Sequence, residues 1–180
     1  MQEQEYLALR ATIRERGTAR MVLAPIVFIG WAGTAVATTA VITVALSTLV
    51  PLLVLATGFE AILSLHVNVE RIGRYLQVFH EPTGGWEQVA MRFGQRFPKS
   101  GPDPLFSRLF ILAVSINFLP VALGGEIPEI VVLAVLHMIF LNHIHLSRRF
   151  AARQRAEDLN RFTSIRDEDQ GETRPPVVAD

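Results

Sequence analysis

The chain contains no cysteine, which excludes disulfides, thiolate metal sites, iron–sulfur ligation and a cysteine nucleophile. It has no net charge either: 17 basic and 17 acidic residues balance, so nucleic acid is not expected as a general partner. Motifs of nucleophilic and phosphoryl chemistry are missing as well. There is no Gly-x-Ser-x-Gly, no glycine-rich phosphate loop and no carboxylate dyad, and Ser107 and Ser115 have no base near them in sequence. Nucleophilic catalysis therefore has little support, and the leading reading is non-enzymatic.

A local absence says more. From Met21 to Phe59 no charged residue interrupts 39 positions, whereas a secretory signal needs a far shorter apolar core. At about 1.5 Å per residue a helix needs only about 20 residues to cross the hydrocarbon, so this run is long enough for two crossings. Half of all residues are hydrophobic and the mean hydropathy is +0.32, with the apolar residues gathered in blocks. That segregation is the mark of an integral membrane protein.

Taken in order, residues 1–19 read as an amphipathic cytosolic helix with Tyr6, Leu9 and Ile13 on one stripe and Gly17 at its end. A first span covers about 21–42, with Pro25 near its start and small residues along its length. A turn at 43–46 follows, then Ser47, Thr48 and Pro51 as cap and first-turn chemistry for a second span of about 49–69. A cytosolic connection occupies 70–104. Within it Trp86, Val89, Ala90, Phe93 and Phe97 repeat with helical spacing, which predicts a short amphipathic surface helix. Its Trp86, Arg92, Phe93 and Arg96 are the lipid-contact candidates.

A proline-rich linker at 98–104 precedes a third span, about 105–123, with Asp103 and Pro104 as its N-cap and first residue. A fourth span, about 129–146, continues as a polar helix to about Ile165, and 166–180 is an acidic tail expected to be disordered. The transmembrane domain thus covers 20–165. The fold class is all-α: a four-helix, two-hairpin membrane bundle with cytosolic helical extensions.

Charge orients it. All 17 Lys and Arg fall in the N-terminal segment, the 71–108 stretch and the C-terminal segment, while the turns between the paired spans carry none. The positive-inside rule then predicts a multi-pass protein of the cytoplasmic (inner) membrane with both termini in the cytoplasm.

Chemistry is concentrated between Gly58 and Tyr75. An ionisable residue inside a span costs about 2.5–3.5 kcal/mol on insertion scales, so Glu60 is the residue that most needs a reason. At about 100° per residue it shares a stripe with Ser64 and Asn68, and Asn117 of the third span is a further polar candidate for the same ion or proton site. His66 and Glu70 form an i,i+4 pair on another face, at a depth matched by His143 and His145 of the fourth span. Two imidazoles from facing helices suit haem b; His66, Glu70 and one fourth-span His suit a divalent metal. Helical geometry opposes a local site: His143 and His145 point to nearly opposite sides, and His137 and His145 are about 12 Å apart along the axis.

Three functions follow. The first is a non-enzymatic scaffold or accessory subunit of a membrane complex, needing no cofactor, partnered by lipids and by copies of itself or other subunits. The second is a proton or small-cation transporter or channel using Glu60. The third is a haem- or metal-binding membrane oxidoreductase using His66 with His143 or His145.

Overall fold

A computed structural model describes residues 2–41, 45–81, 84–97 and 103–172. The described residues form helices and contain no strand: α1 (Gln2–Val41), a 3-10 turn (Ala45–Thr48), α2 (Leu49–Phe79), α3 (Trp86–Arg96), α4 (Ser107–Gly124) and α5 (Ile127–Glu172). The all-α expectation holds. Four of these helices, α1, α2 with its leading turn, α4 and α5, are long and apolar enough to cross a membrane.

Several boundaries move. Gly17 does not end the first helix; α1 runs unbroken for 40 residues. A glycine stops a helix when the residues after it turn away and bury a contact, but Thr18 to Met21 continue in helical register and a single interior glycine costs only about 1 kcal/mol. Pro25 therefore lies inside a helix rather than in a first turn, and the Met21 carbonyl loses its usual N–H partner. Thr48 does not cap α2 with its side chain, because its Oγ1 donates to the Ala45 carbonyl at 2.9 Å. Residues 42–44, most of the expected turn, and 98–102, most of the expected linker, lie outside the described residues.

Asp103 and Pro104 are not the cap and first residue of α4. Asp103 Oδ1 accepts from the Leu105 N–H at 3.2 Å and from Ser107 Oγ at 3.4 Å, closing a turn before the helix. Phe106 then leads into α4 in the left-handed region at φ 52°. At the other end of the chain, the stretch expected to be disordered from 166 is helical as far as Glu172, and 173–180 lie outside the described residues. Arg161 pairs with Glu157 at 3.3 Å and Arg166 with Asp167 at 2.9 Å, and the first breaker of the tail, Pro175, comes only later.

The chain forms two compact units, each discontinuous in sequence. The first, Met1–Glu15, Val67–Pro102 and Ala151–Asp180, is held by ion pairs. Arg10 joins Glu81 and Glu87, Arg155 joins Glu70, and Arg71 joins Asp158 at 3.0 Å, whose side chain is 7% exposed. Tyr75 packs at a tilt against Phe79 and edge-on to Phe162, and its hydroxyl donates to Glu5 Oε1 at 2.8 Å. That bond and partial burial beside a carboxylate raise the Tyr75 pKa above its ordinary 10.0.

The second unit, Arg16–His66 and Asp103–Phe150, has an apolar core in which Leu55, Phe59, Ile62, Phe110, Val114, Val121, Leu133 and Ile144 are fully buried. Phe110 meets Phe59 edge-on at 5.1 Å and Phe28 at 4.9 Å. The approach of α1 to α2 rests on Gly58: a Cβ there would lie 3.0 Å from the Val27 Cβ and closer still to its methyls. Only a glycine lets the two backbones come this close.

Candidate functional site

Within the second unit one polar side chain organises its surroundings. Asn117, on α4, is 4% exposed among apolar residues, where an unpaired amide would be costly. An indole N–H can only donate, so the Trp31 Nε1 that lies 3.2 Å from Asn117 fixes which amide atom faces it: Oδ1. The amide nitrogen then faces the Thr48 carbonyl at 3.0 Å and His137 Nε2 at 3.1 Å, donating to both.

His137 Nε2 is therefore an acceptor, and its proton sits on Nδ1, which donates to the Leu133 carbonyl at 2.7 Å. Donor and acceptor assignments agree at every step. One amide thus links α1, the turn leading into α2, α4 and α5. Chemically this is a tie: a proton added to His137 Nε2 would face the Asn117 amide hydrogens, so the arrangement does not suit proton transfer. A cavity of about 420 Å³ opens beside it, bounded by Trp31, Thr38, Pro51, Ile116, Asn117 and Pro120.

Glu60 lies elsewhere. Its carboxylate accepts a hydrogen bond from His143 Nε2, with the Glu60 side chain 56% and the His143 side chain 45% exposed. Phe59 sits edge-on to the His143 ring at 5.9 Å, and Ser147 Oγ donates to the His143 carbonyl. Ser64 is exposed and Asn68 half-buried, each already engaged. Asn117 is spent on the tie to Trp31, Thr48 and His137 rather than on Glu60.

His66 is buried and its Nδ1 accepts from Arg20 Nη1 at 2.9 Å. Glu70 faces Arg155 at 2.7 Å and Arg74 at 3.9 Å. His143 is taken by Glu60, and His145 is exposed. Among the described residues no three His, Asp or Glu side chains are placed to hold one metal ion. The lipid-contact candidates on α3 are all exposed, Trp86 at 70%, and none of its residues is buried.

Sequence reasoning missed Trp31, Thr48 and His137 as partners of Asn117. A usable signal existed: an indole and an imidazole in the middle of apolar segments both need partners, and an asparagine in a third segment offers both an acceptor and a donor. No family model, no curated protein and no solved structure matches the chain.

Proposed function

We propose that this is a multi-pass protein of the cytoplasmic membrane, with four spans, both termini in the cytoplasm and α3 lying in the headgroup region, and that it works as a non-enzymatic scaffold or accessory subunit. The topology rests on the one-sided distribution of Lys and Arg, and the surface role of α3 on its exposed Trp86 and Phe93 beside Arg92 and Arg96.

The observation that carries the assembly role is the uncovered flank of α1. Only 11% of its most apolar 18-residue stretch is buried, against 44% for α2. Gly33 and Ala37, four residues apart, are both exposed on it, and a Cβ at Gly33 would meet nothing within 4 Å. Small residues at this spacing let a second helix approach closely. The natural absence of cysteine makes the test direct. Gly33→Cys and Ala37→Cys proteins, oxidised in native membranes, are expected to cross-link to a second copy or to another membrane protein. A protein that forms no such cross-link, and is monomeric and partnerless in mild detergent, would refute the assembly role.

A second reading is supported by the Glu60–His143 pair, a carboxylate and an imidazole within apolar segments and half exposed. Such a pair fits a proton or small-cation route. Proton or cation flux in proteoliposomes that is unchanged by Glu60→Gln rejects Glu60 as the site. The haem or metal reading is tested by a visible spectrum and metal analysis of protein from replete cells.

A further inference from the structure

On the surface of the second unit, α2 and α5 present an ionisable pair among apolar segments. Glu60 Oε1 accepts from His143 Nε2, the Phe59 ring stands edge-on to the imidazole, and both side chains are about half exposed. In water such exposure costs little. On the membrane reading, on which this inference rests, the pair lies within the hydrocarbon. Glu60 is ten residues, about 15 Å of helix, from Glu70, the next charged residue on α2, and His143 is five residues, about 7.5 Å, from Arg148. Ionisable groups at that depth face protein or a watery cavity rather than lipid, so an exposed pair calls for a cover.

Each side chain keeps one polar atom that meets no partner among the described residues. Glu60 Oε2 is an acceptor, and the Nδ1–H of an ionised His143 is a donor. A hydrocarbon chain satisfies neither. A foreign protein has to bring one donor and one acceptor at matching places, whereas a second copy of this chain already carries both. A two-fold axis beside the pair sets the Nδ1–H of one copy against the Oε2 of the other, and does so twice. The result is a closed ring of two carboxylates and two imidazolium groups, neutral overall and bonded by charge-assisted hydrogen bonds. Thr57, Ala61 and Ser64, exposed within about a turn of Glu60, are short enough for the α2 helices of two copies to approach.

We propose that two copies of the chain pair through this face, with Glu60 and His143 of each bonded to His143 and Glu60 of the other. The full chain in native membranes provides the test, because the absence of cysteine lets single thiols be placed at will. Thr57 Oγ1 bonds only within its own helix, to the Leu53 and Val54 carbonyls, so Thr57→Cys breaks no contact between helices. With two differently tagged copies co-expressed, Thr57→Cys is expected to be joined copy to copy by a short bismaleimide. Leu119→Cys, exposed on α4, is expected not to be.

The reciprocal bonds are read by mixing variants in the Thr57→Cys background. Glu60→Leu alone is expected to weaken dimerisation in proteoliposomes about tenfold or more, with helix content by circular dichroism unchanged, since both bonds between copies are lost. His143→Leu alone should do the same. A mixture of the two is expected to favour the mixed pair about threefold or more over statistical pairing, because only that pair retains one bond between copies. A protein that resists carbonate extraction but gives no copy-to-copy link at Thr57, a link only to another protein, equal links at Thr57 and Leu119, or no preference for the mixed pair overturns this pairing and leaves the membrane reading standing. A protein that carbonate releases from the membrane overturns both.

Discussion

Replacing Asn117 by leucine is the perturbation with the most to reveal, because one side chain satisfies groups on three elements besides its own. The substitution removes three hydrogen bonds, to Trp31 Nε1 at 3.2 Å, the Thr48 carbonyl at 3.0 Å and His137 Nε2 at 3.1 Å, and leaves all three partners in apolar surroundings. Interhelical hydrogen bonds in lipid-embedded bundles are worth about 0.6 kcal/mol on average and at most about 1.7, so the expected loss is about 2 kcal/mol, with about 5 as an upper bound. At about 1.4 kcal/mol per decade, 2 kcal/mol lowers the folded-to-unfolded ratio roughly thirtyfold. Reversible unfolding in bicelles measures this directly.

The same amide predicts a coupling. His137→Leu should cost less in the Asn117→Leu background than alone, by about 0.6–1.7 kcal/mol, since the imidazole has already lost its donor. Trp31 offers a second readout. The chain has two tryptophans, so in a Trp86→Phe background the emission of Trp31 reports alone and should shift to the blue when its acceptor is removed. A cost below about 0.5 kcal/mol together with no coupling to His137 would refute the reasoning that these bonds tie the helices.

Gly58→Ala should destabilise the protein by about 1–3 kcal/mol through collision with Val27, and Val27→Ala in the same chain should restore most of the loss; thermal unfolding of the single and double variants checks this. Asp158→Ala leaves the Arg71 guanidinium and Gln154 Nε2, now 3.0 and 2.9 Å from the carboxylate, without their acceptor, and should speed amide exchange in α5 around that residue; Arg71 is half exposed, so the cost is expected to be only about 1–2 kcal/mol. The raised pKa of Tyr75 means that the folded state holds the phenolic proton more tightly than the unfolded chain. Its contribution to stability is thus complete below the ordinary value of 10.0 and is lost as pH rises through the folded pKa. Phenolate absorbance should show the Tyr75 midpoint falling toward 10.0 in Glu5→Gln, and an unchanged midpoint would remove Glu5 as the cause.

Fold class, the existence of four long apolar helices and the position of the short α3 were legible without coordinates. Each is set by apolar run length or by spacing along a few turns of chain. The run from Met21 to Phe59 with its internal Ser47-Thr48 and Pro51 implied two helices, and the Trp86 to Phe97 periodicity implied a third. The stops were less legible. Gly17 resembles a terminator and Asp103-Pro104 an initiator, but whether a glycine ends a helix, or an aspartate closes a turn before one, depends on where the following residues find contacts.

What only the tertiary structure decided is pairing. Glu60 had plausible partners on its own helix, and Asn117 was a plausible neighbour for it; instead Glu60 meets His143, 83 residues away, and Asn117 meets Trp31, 86 residues away. Helical phase identifies which residues share a face, but it carries no information on how two helices are rotated against each other. That rotation follows from steric fit at close contacts such as Gly58 against Val27. The sequence by itself determined which polar residues would need partners among apolar neighbours, because the cost of burying an amide or a carboxylate is a local property. Which partners they took was decided by packing, because hydrogen bonds form only between groups that the helix contacts have already brought within reach.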